Sequence, residues 1–286
     1  MSAHQSAANL RAYDAPEVAA HYASLDYLTP CEQLLFSTYI KPGSAILDVG
    51  VGGGRTTTFL SRMASRYAGV DYSEAMIRVC RDRFPGLKFL VTEASDLSAF
   101  EDRSFDAVVM AFNVIDYVLP EEKRWNCLRE CRRVLRLGGV LIFSSHNPRS
   151  ILVRPAWNQE RLRAFARKFV ADGGVLFNPL VFVLTVAKSL HSFFRAAGSS
   201  ASRVIQRANK PAFWRGEGNL FDSSHGGLST HCWIPQCVIA ELAQFGFQVV
   251  KWMGDDYPRA SRLWMTDWYY YVFQKTDSVA AGSPCV

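Results

Sequence analysis

The sequence predicts an α/β protein: a Rossmann-like, doubly wound sheet of seven strands with a mainly helical insertion after strand five. Short apolar runs alternate with helical patterns along residues 40–147, as in parallel strands joined by helices. Two of these runs end in an acid, at Asp48 and at Asp71, and a glycine-rich turn follows the first. About 85 residues, 148–232, then separate the fifth strand from the next core helix.

The first strand, residues 45–49, leads directly into a glycine-rich turn. Gly50 and Gly52 would let the backbone bend sharply and approach a ligand at the carboxyl end of the strand. Arg55 stands where the dinucleotide-binding pattern has its last glycine, which argues against a nicotinamide dehydrogenase. Asp48 would repel a pyrophosphate and attract an ammonium group. We therefore expect Asp48 to bind an amine.

The second strand, residues 67–71, ends in Asp71, 21 residues beyond Gly50. In mononucleotide-binding folds an acid at this place accepts hydrogen bonds from ribose hydroxyls. A ligand that has both an amine and a ribose, and no phosphate, would satisfy Asp48 and Asp71 together.

At this point the chain resembles the class I S-adenosylmethionine-dependent methyltransferases. The matching stretches keep their order and spacing over roughly residues 40–147, and they are residues 46–54, 69–76, 104–108 and 133–139. The resemblance implies the sheet described above, S-adenosylmethionine as cofactor, S-adenosylhomocysteine as product and methyl transfer as the reaction. It does not identify the methyl acceptor.

The same resemblance implies further cofactor contacts. Tyr22, in a leader helix, would reach the cofactor, although it could also only pack there. Tyr72 and Met76 would be neighbours of the adenine, and Met76 could equally be core filling. An acid after strand three would accept from the adenine amino group, and the next backbone amide would meet the ring. Glu93 and Ala94 fit these two places, with Asp96 as the alternative acid.

The remaining elements follow from capping residues and periodicity. Asp14 and Thr29 are predicted N-caps of two leader helices, and Gly138-Gly139 is predicted to end the helix that starts after Pro120. The other predicted helices are residues 55–65, 73–84 and 233–245, and the other predicted strands are residues 87–91, 104–110, 140–144, 247–252 and 264–273.

Polar residues at the carboxyl ends of strands four and five are candidates for the acceptor side. Asn113 and Asp116 should face the cofactor or the acceptor, because open α/β sheets bind ligands at this edge. His146 at the end of strand five is our first candidate for a general base, with a rim histidine that only shapes the pocket as the alternative. His225 and His231, in a predicted mobile substrate loop over residues 222–233, are rivals for that role.

The insertion, residues 148–232, carries the basic charge of the chain. Residues 148–215 hold twelve Lys and Arg against two acids, a net +10, whereas the rest of the chain sums to −4. Basic amphipathic and apolar stretches over residues 160–195 predict either a cap over the acceptor pocket or an anchor on an anionic membrane surface. Nucleic acid is a weaker alternative, since the aromatic residues do not alternate with the basic ones. The predicted core is then residues 1–147 plus 233–275, with a tail at 276–286.

No feature of the sequence predicts a metal site or secretion. The seven cysteines include no C-x-x-C pair, and the two histidines at 225 and 231 lack a third ligand at metal spacing. The amino terminus has no signal-peptide pattern. We expect a cytoplasmic protein, with the inner face of the membrane as an alternative place.

The expected function is methyl transfer to a hydroxyl, or an amine, of a small-molecule, sugar or lipid-linked glycan acceptor. The alternatives are a quinone or lipid-ring methyltransferase, an RNA methyltransferase and a non-catalytic cofactor-binding protein. The sequence makes no prediction of oligomeric state.

Overall fold

A computed structural model describes residues 9–152, 179–222, 228–259 and 262–277 of the chain. Its centre is a sheet of seven strands in the order β3-β2-β1-β4-β5-β9-β8. The first five strands in that order are parallel, and β9 runs antiparallel to both β5 and β8. The strands are β1 Ser44–Val49, β2 Ala64–Asp71, β3 Lys88–Val91, β4 Phe105–Met110, β5 Leu135–His146, β8 Phe247–Gly254 and β9 Trp268–Lys275. The predicted seven-stranded α/β sheet is confirmed.

Helices cover both faces of this sheet, and a two-stranded hairpin lies in the insertion. The helices are α1 Pro16–Ala23, α2 Pro30–Tyr39, α3 Thr57–Met63, α4 Glu74–Arg83, α5 Glu121–Val134, α6 Pro179–Ala208, α7 Pro211–Arg215 and α8 Pro235–Gln244, with a 3₁₀ turn at Val114–Tyr117. The hairpin strands are β6 Glu217–Asp222 and β7 Leu228–Trp233. None of the described helices is long and apolar enough to cross a bilayer.

Each face of the sheet has its own core because a parallel strand is buried on both sides. Along β1, Leu47 and Val49 belong to the core under α5 and α8, whereas Ile46 belongs to the core under α2, α3 and α4. The whole of β1 is buried. The carboxyl ends of β1, β2 and β4 therefore stand at a rigid edge of the sheet.

Two predicted caps have different outcomes. Thr29 caps α2 in a complete capping box with Glu32, as predicted. Asp14 does not cap α1, whose N-cap is Ala15. The Asp14 carboxylate instead accepts hydrogen bonds from Ser73 Oγ at 2.9 Å and from the backbone N–H of Ala75 at 3.0 Å. It therefore joins the leader segment to the first turn of α4, where a negative charge is favourable.

The boundary between α5 and β5 lies earlier than predicted. The helix ends at Val134 and the strand begins at Leu135, so the pair Gly138-Gly139 lies within β5 and does not end the helix. Leu135 already pairs with Phe105 of β4, and the side chain of Arg136 binds Asp106 at 2.7 Å. These contacts between strands define the strand start, whereas the sequence shows only the helical periodicity.

The insertion contains more regular structure than predicted. Ser199 and Ser202, whose residue type is neutral to unfavourable inside a helix, both lie inside α6. There the hydroxyl of Ser200 donates to the carbonyl oxygen of Ala196 at 2.7 Å, so this serine satisfies its polar group within the helix. Residues 228–233, expected to be part of a mobile loop, form β7. The predicted segment 160–178 lies outside the described residues.

Candidate active site

A cavity lies at the carboxyl edge of the sheet, beside the ends of β1, β2 and β4. It contains about 1070 Å³ of empty space, including its open mouth. Its walls combine the glycine loop, the start of α4, the loop after β3, the segment after β4 and residues of the leader helices. This edge is where open α/β sheets bind ligands.

The glycine loop supplies the floor of the cavity. Gly50 and Gly52 have φ angles of +70° and +54°, in the left-handed region that favours glycine. A Cβ atom on Gly50 would lie 2.5 Å from the side chain of Val114, so the loop also needs glycine for space. Both predicted glycines line the cavity.

Asp71 lies in the cavity wall with its carboxylate already oriented. One carboxylate oxygen accepts the backbone N–H of Gly52 and the other accepts that of Ser73, both at 2.9 Å. A carboxylate offers about four lone-pair sites, so these two bonds leave capacity for a further pair of donors. Burial raises the pKa of Asp71 to about 6. The position fits the predicted contact with a ribose diol.

Asp48 does not reach the cavity, contrary to the prediction. Its side chain is 1% exposed, and one carboxylate oxygen accepts from Thr56 Oγ1 at 2.6 Å and from the Tyr67 hydroxyl at 3.0 Å. Thr56, which lines the cavity, stands between Asp48 and any ligand. Burial raises the pKa of Asp48 to about 6. Asp48 therefore orients Thr56 and contributes charge from behind the wall.

Aromatic side chains form one side of the cavity. Tyr22, Tyr72 and Met76 line it, as the resemblance implied. Tyr13 and Tyr117 line it as well, and both were missed. The ring of Tyr13 is 6.1 Å from that of Tyr22, 6.2 Å from that of Tyr72 and 5.7 Å from that of Tyr117. Tyr13 thus connects the leader segment to both sides of the cavity mouth.

Of the two acids that follow β3, Glu93 lies in the cavity wall. Glu93 and Ala94 line the cavity, whereas Asp96 is absent from its wall. A carboxylate oxygen of Glu93 binds the Lys123 ammonium at 2.5 Å, while Asp96 accepts the backbone N–H of Ser98. The placement favours Glu93 over the alternative acid.

A buried ion pair fixes the leader helices to the glycine loop. The guanidinium of Arg55 binds both carboxylate oxygens of Glu32, at 2.7 and 2.6 Å, and also donates to the carbonyl oxygen of Tyr27. Its central carbon lies 3.9 Å from the ring centre of Phe112. Arg55 and Phe112 both line the cavity. From the sequence, Arg55 was identified only as the residue at the last glycine position of the dinucleotide-binding pattern, and its ion pair with Glu32 was not predicted.

His146 lies beside the cavity in a hydrogen-bonded chain. Its Nδ1 is 2.7 Å from a carboxylate oxygen of Asp116, which is fully buried, and its Nε2 is 3.2 Å from the amide nitrogen of Asn113. The Asp116 carboxylate also accepts from the hydroxyl of Ser145 and the backbone N–H of His146. The His146 ring is 6.3 Å from that of Tyr117, which lines the cavity.

Asn113 was predicted to face the cofactor or the acceptor, with the cofactor as its expected contact, but its side chain does not line the cavity. It is 4% exposed and its amide is turned toward His146. Its backbone has a φ angle of +61°, and its N–H donates to the hydroxyl of Ser144 at 2.9 Å. This conformation turns the side chain into the sheet edge and leaves Phe112 and Val114 to line the cavity.

His231 is not placed as a base. It lies in β7, 7% exposed, with its ring 4.8 Å from that of Trp233, and it does not line the cavity. Burial lowers the pKa of His231 well below its usual range. His225 lies outside the described residues. In the part of the chain that the structure describes, no three His, Cys, Asp or Glu side chains are grouped to hold a metal ion.

Comparison with known proteins agrees with this geometry. Residues 47–143, roughly a third of the chain, match the family model described as a methyltransferase domain. Over this stretch the chain matches a methyltransferase domain, in agreement with the resemblance to S-adenosylmethionine-dependent methyltransferases. The matched segment runs from β1 into β5 and includes the glycine loop, Asp71 and Glu93.

Two relatives and one solved structure are informative. The chain is 31% identical over 166 residues to the demethylmenaquinone methyltransferase of Clavibacter sepedonicus, covering 54% of this chain and 65% of the relative. It is 29% identical over 176 residues to phthiotriol/phenolphthiotriol dimycocerosates methyltransferase 1 of Mycobacterium ulcerans, covering 58% and 62%. A methyltransferase structure from Methanosarcina mazei shares the fold at a TM-score of 0.52 and 20% identity, covering 88% of this chain and 99% of that one. The chain spans slightly less than two thirds of the two curated relatives.

A substitution at Gly53 tests the contact between α1 and the glycine loop. A Cβ atom there would lie 2.5 Å from the backbone of Tyr22 and Ala23, which cannot move without displacing the end of α1. We expect Gly53→Ala to weaken S-adenosylhomocysteine binding by about tenfold, because overpacking of this kind costs ~1–3 kcal/mol. Titration calorimetry measures this. Gly198→Ala is the control, since a Cβ atom there has nothing within 4 Å; equal losses in both variants would contradict the contact.

The raised pKa of Asp71 predicts a pH dependence of cofactor binding. Ribose hydroxyls donate to the ionised carboxylate, so binding favours the charged form and lowers the pKa in the complex. Below pH 6 the free protein binds a proton that the complex excludes. The affinity for S-adenosylhomocysteine should therefore fall as the pH decreases from 7 to 5, by at most about tenfold per pH unit from this group. A slope that is the same in wild type and Asp71→Asn would contradict this assignment.

Proposed function

We propose that this chain transfers the methyl group of S-adenosylmethionine to a hydroxyl oxygen of an apolar, lipid-linked acceptor, such as a glycan on a lipid carrier. The observation that supports the hydroxyl is the pairing of His146 with the buried Asp116 beside an aromatic-walled cavity. A hydroxyl needs a base to become a good nucleophile, whereas a thiol or an amine needs one less.

The cofactor would lie along the wall described above. Asp71 would accept from the ribose hydroxyls, and Glu93 with the backbone of Ala94 would meet the adenine between Tyr72 and Met76. The positive charge of the amine would be stabilised by Asp48 through Thr56. Bound S-adenosylmethionine supplies an electrophilic methyl group, and the contribution of the protein is then mainly positioning and exclusion of water.

His146 would take the proton of the acceptor. If Nδ1 carries its hydrogen toward Asp116, Nε2 carries the lone pair that would take the proton of a hydroxyl. The buried carboxylate of Asp116 would then stabilise the imidazolium that forms. The amide nitrogen of Asn113 lies 3.2 Å from Nε2, so the acceptor hydroxyl would have to replace Asn113 at this nitrogen.

A quinone-type ring is the second candidate acceptor. The relative from Clavibacter sepedonicus is named a demethylmenaquinone methyltransferase, and the one from Mycobacterium ulcerans is named for a dimycocerosate lipid. In a reduced ring His146 would take the proton of a ring hydroxyl and the activated ring carbon would take the methyl group. The hydrogen on that carbon would then leave as a proton and the ring oxygen would take one up, which restores the aromatic ring. Both candidates combine an apolar lipid part with a hydroxyl group.

Radiolabelled methyl transfer distinguishes these acceptors. The protein is incubated with S-adenosylmethionine carrying a labelled methyl group and, separately, with glycolipid, demethylated quinone and RNA fractions. We expect label in the glycolipid fraction, with tandem mass spectrometry placing the methyl group on oxygen. Label on a ring carbon would favour the second candidate. Label in RNA alone, or no transfer to any fraction by a protein that binds S-adenosylhomocysteine, would contradict the proposal.

A further inference from the structure

The long helix α6 exposes apolar side chains and turns polar ones toward the protein, which is the opposite of an ordinary surface helix. Over residues 190–208 of this helix, the residues that face the protein are small or polar, among them Ser200, Arg203 and Arg207, together with the buried Ala196. The outer face of α6 is apolar and exposed, and we define it by Leu190, Phe193, Phe194, Val204 and Ile205. These five recur at helical spacing on one side of the helix.

The exposure of the outer face is large. Phe194 and Ile205 are 68% and 66% exposed, and Leu190 and Phe193 are each more than half exposed. Trp214 of α7, which follows α6 closely along the chain, is 70% exposed. Apolar side chains exposed to this degree along one side of a helix mark a binding surface.

The inner face of α6 is bonded to the rim of the candidate active site. Arg203 binds the carboxylate of Asp267 at 2.6 Å, and Arg207 donates to the carbonyl oxygen of Asn147, the residue after His146, at 2.7 Å. The helix therefore has a fixed orientation, and its outer face cannot turn inward without breaking these bonds.

The charge of α6 and α7 indicates which kind of surface the outer face of α6 would bind. No acidic residue occurs between Asp172 and Glu217, so the whole of α6 and α7 is free of negative charge. Four basic side chains of this region, at Lys188, Arg195, Lys210 and Arg215, are exposed. Aromatic and aliphatic side chains flanked by exposed cations are the combination that binds an anionic bilayer surface.

We propose that the outer face of α6 lies on an anionic membrane surface. Its apolar side chains would enter the interface, and the exposed cations would pair with lipid headgroups. Because α6 is not a spanning helix, it would bind in the plane of the bilayer. The bonds of Arg203 and Arg207 would then hold the rim beside His146 near the lipid surface. This inference rests on α6 and the neighbouring α7 and does not require the proposed function.

Vesicle flotation of the full chain tests the proposal. Wild type should float with vesicles of phosphatidylcholine and phosphatidylglycerol at least about tenfold more than with phosphatidylcholine alone. The double variant Phe194→Glu, Ile205→Glu should lose that flotation by about tenfold or more, since both apolar anchors become charged. Leu137→Glu is the matched control, because Leu137 is a 55% exposed apolar residue at the start of β5 and should keep wild-type flotation.

Several outcomes would overturn the proposal. These are no flotation of wild type with the anionic vesicles, equal flotation with neutral ones, or equal flotation of the double variant. A wild-type dimer that the double variant converts to a monomer, without flotation, would assign the outer face of α6 to a second copy of the chain. The affinity of the same proteins for S-adenosylhomocysteine, measured by titration, shows whether the variants are folded. This affinity should be the same in all of them.

Discussion

Replacing His146 with alanine is expected to reduce methyl transfer to a hydroxyl acceptor by about 10²–10⁴-fold, the usual contribution of a general base. The affinity for S-adenosylhomocysteine should be unchanged, because His146 does not line the cofactor cavity. Transfer is measured as initial rates at saturating cofactor, and binding by calorimetry. His146→Gln should lose the same activity, since an amide can bind Asp116 but cannot take a proton.

Two further variants show whether His146 acts as a general base or only has a structural role. His21→Ala is the control for loss of an imidazole, because His21 is exposed on α1 and does not line the cavity. Asp116→Asn should lower the rate less than His146→Ala does, because the base remains while its orientation and charge partner are weakened. Wild-type rates in His146→Gln would show that the rim histidine only shapes the pocket.

Replacing Asp71 with alanine is expected to weaken S-adenosylhomocysteine binding by about 100-fold or more. Two hydrogen bonds to a carboxylate are lost at once, and each contributes ~1.5–3 kcal/mol when one partner is charged. A tenfold change in affinity corresponds to about 1.4 kcal/mol. Asp71→Ala also leaves the backbone N–H groups of Gly52 and Ser73 without their acceptor, so the loop itself should loosen.

Two control variants separate the loss of hydrogen bonds to the ribose from the loosening of the glycine loop. Asp71→Asn keeps an acceptor for one backbone N–H and removes the charge, so it should retain the wild-type melting temperature more closely while still losing affinity. Asp96→Ala should bind normally, because Asp96 lies outside the cavity wall. Normal binding by Asp71→Ala, or an equal loss in Asp96→Ala, would contradict the placement of the ribose at Asp71.

The sheet and one side of the site could be predicted because their signals are local. The acid at the end of β2, the glycines after β1 and the helix start at Ser73 each lie within one short segment, and the structure places all of them where the pattern indicates. Tyr72, Met76, Glu93 and Ala94 follow the same two strand ends.

The rest of the site depends on contacts between distant segments. Tyr13 reaches the cavity only because Asp14 binds the start of α4, some 60 residues away. Arg55 is held by Glu32 of α2, and the placement of Asp48 behind Thr56 depends on the Tyr67 hydroxyl. The turn of Asn113 away from the cavity follows from a positive φ angle. No local pattern encodes any of these arrangements.

Titration of the wild-type protein with S-adenosylhomocysteine tests the central claim most directly, since every proposed role assumes a nucleoside bound at the ends of β1 and β2. We predict binding of one molecule per chain, a loss of about two orders of magnitude in Asp71→Ala, and no binding of NAD. Absence of heat with S-adenosylhomocysteine, together with tight binding of the dinucleotide, would contradict the account.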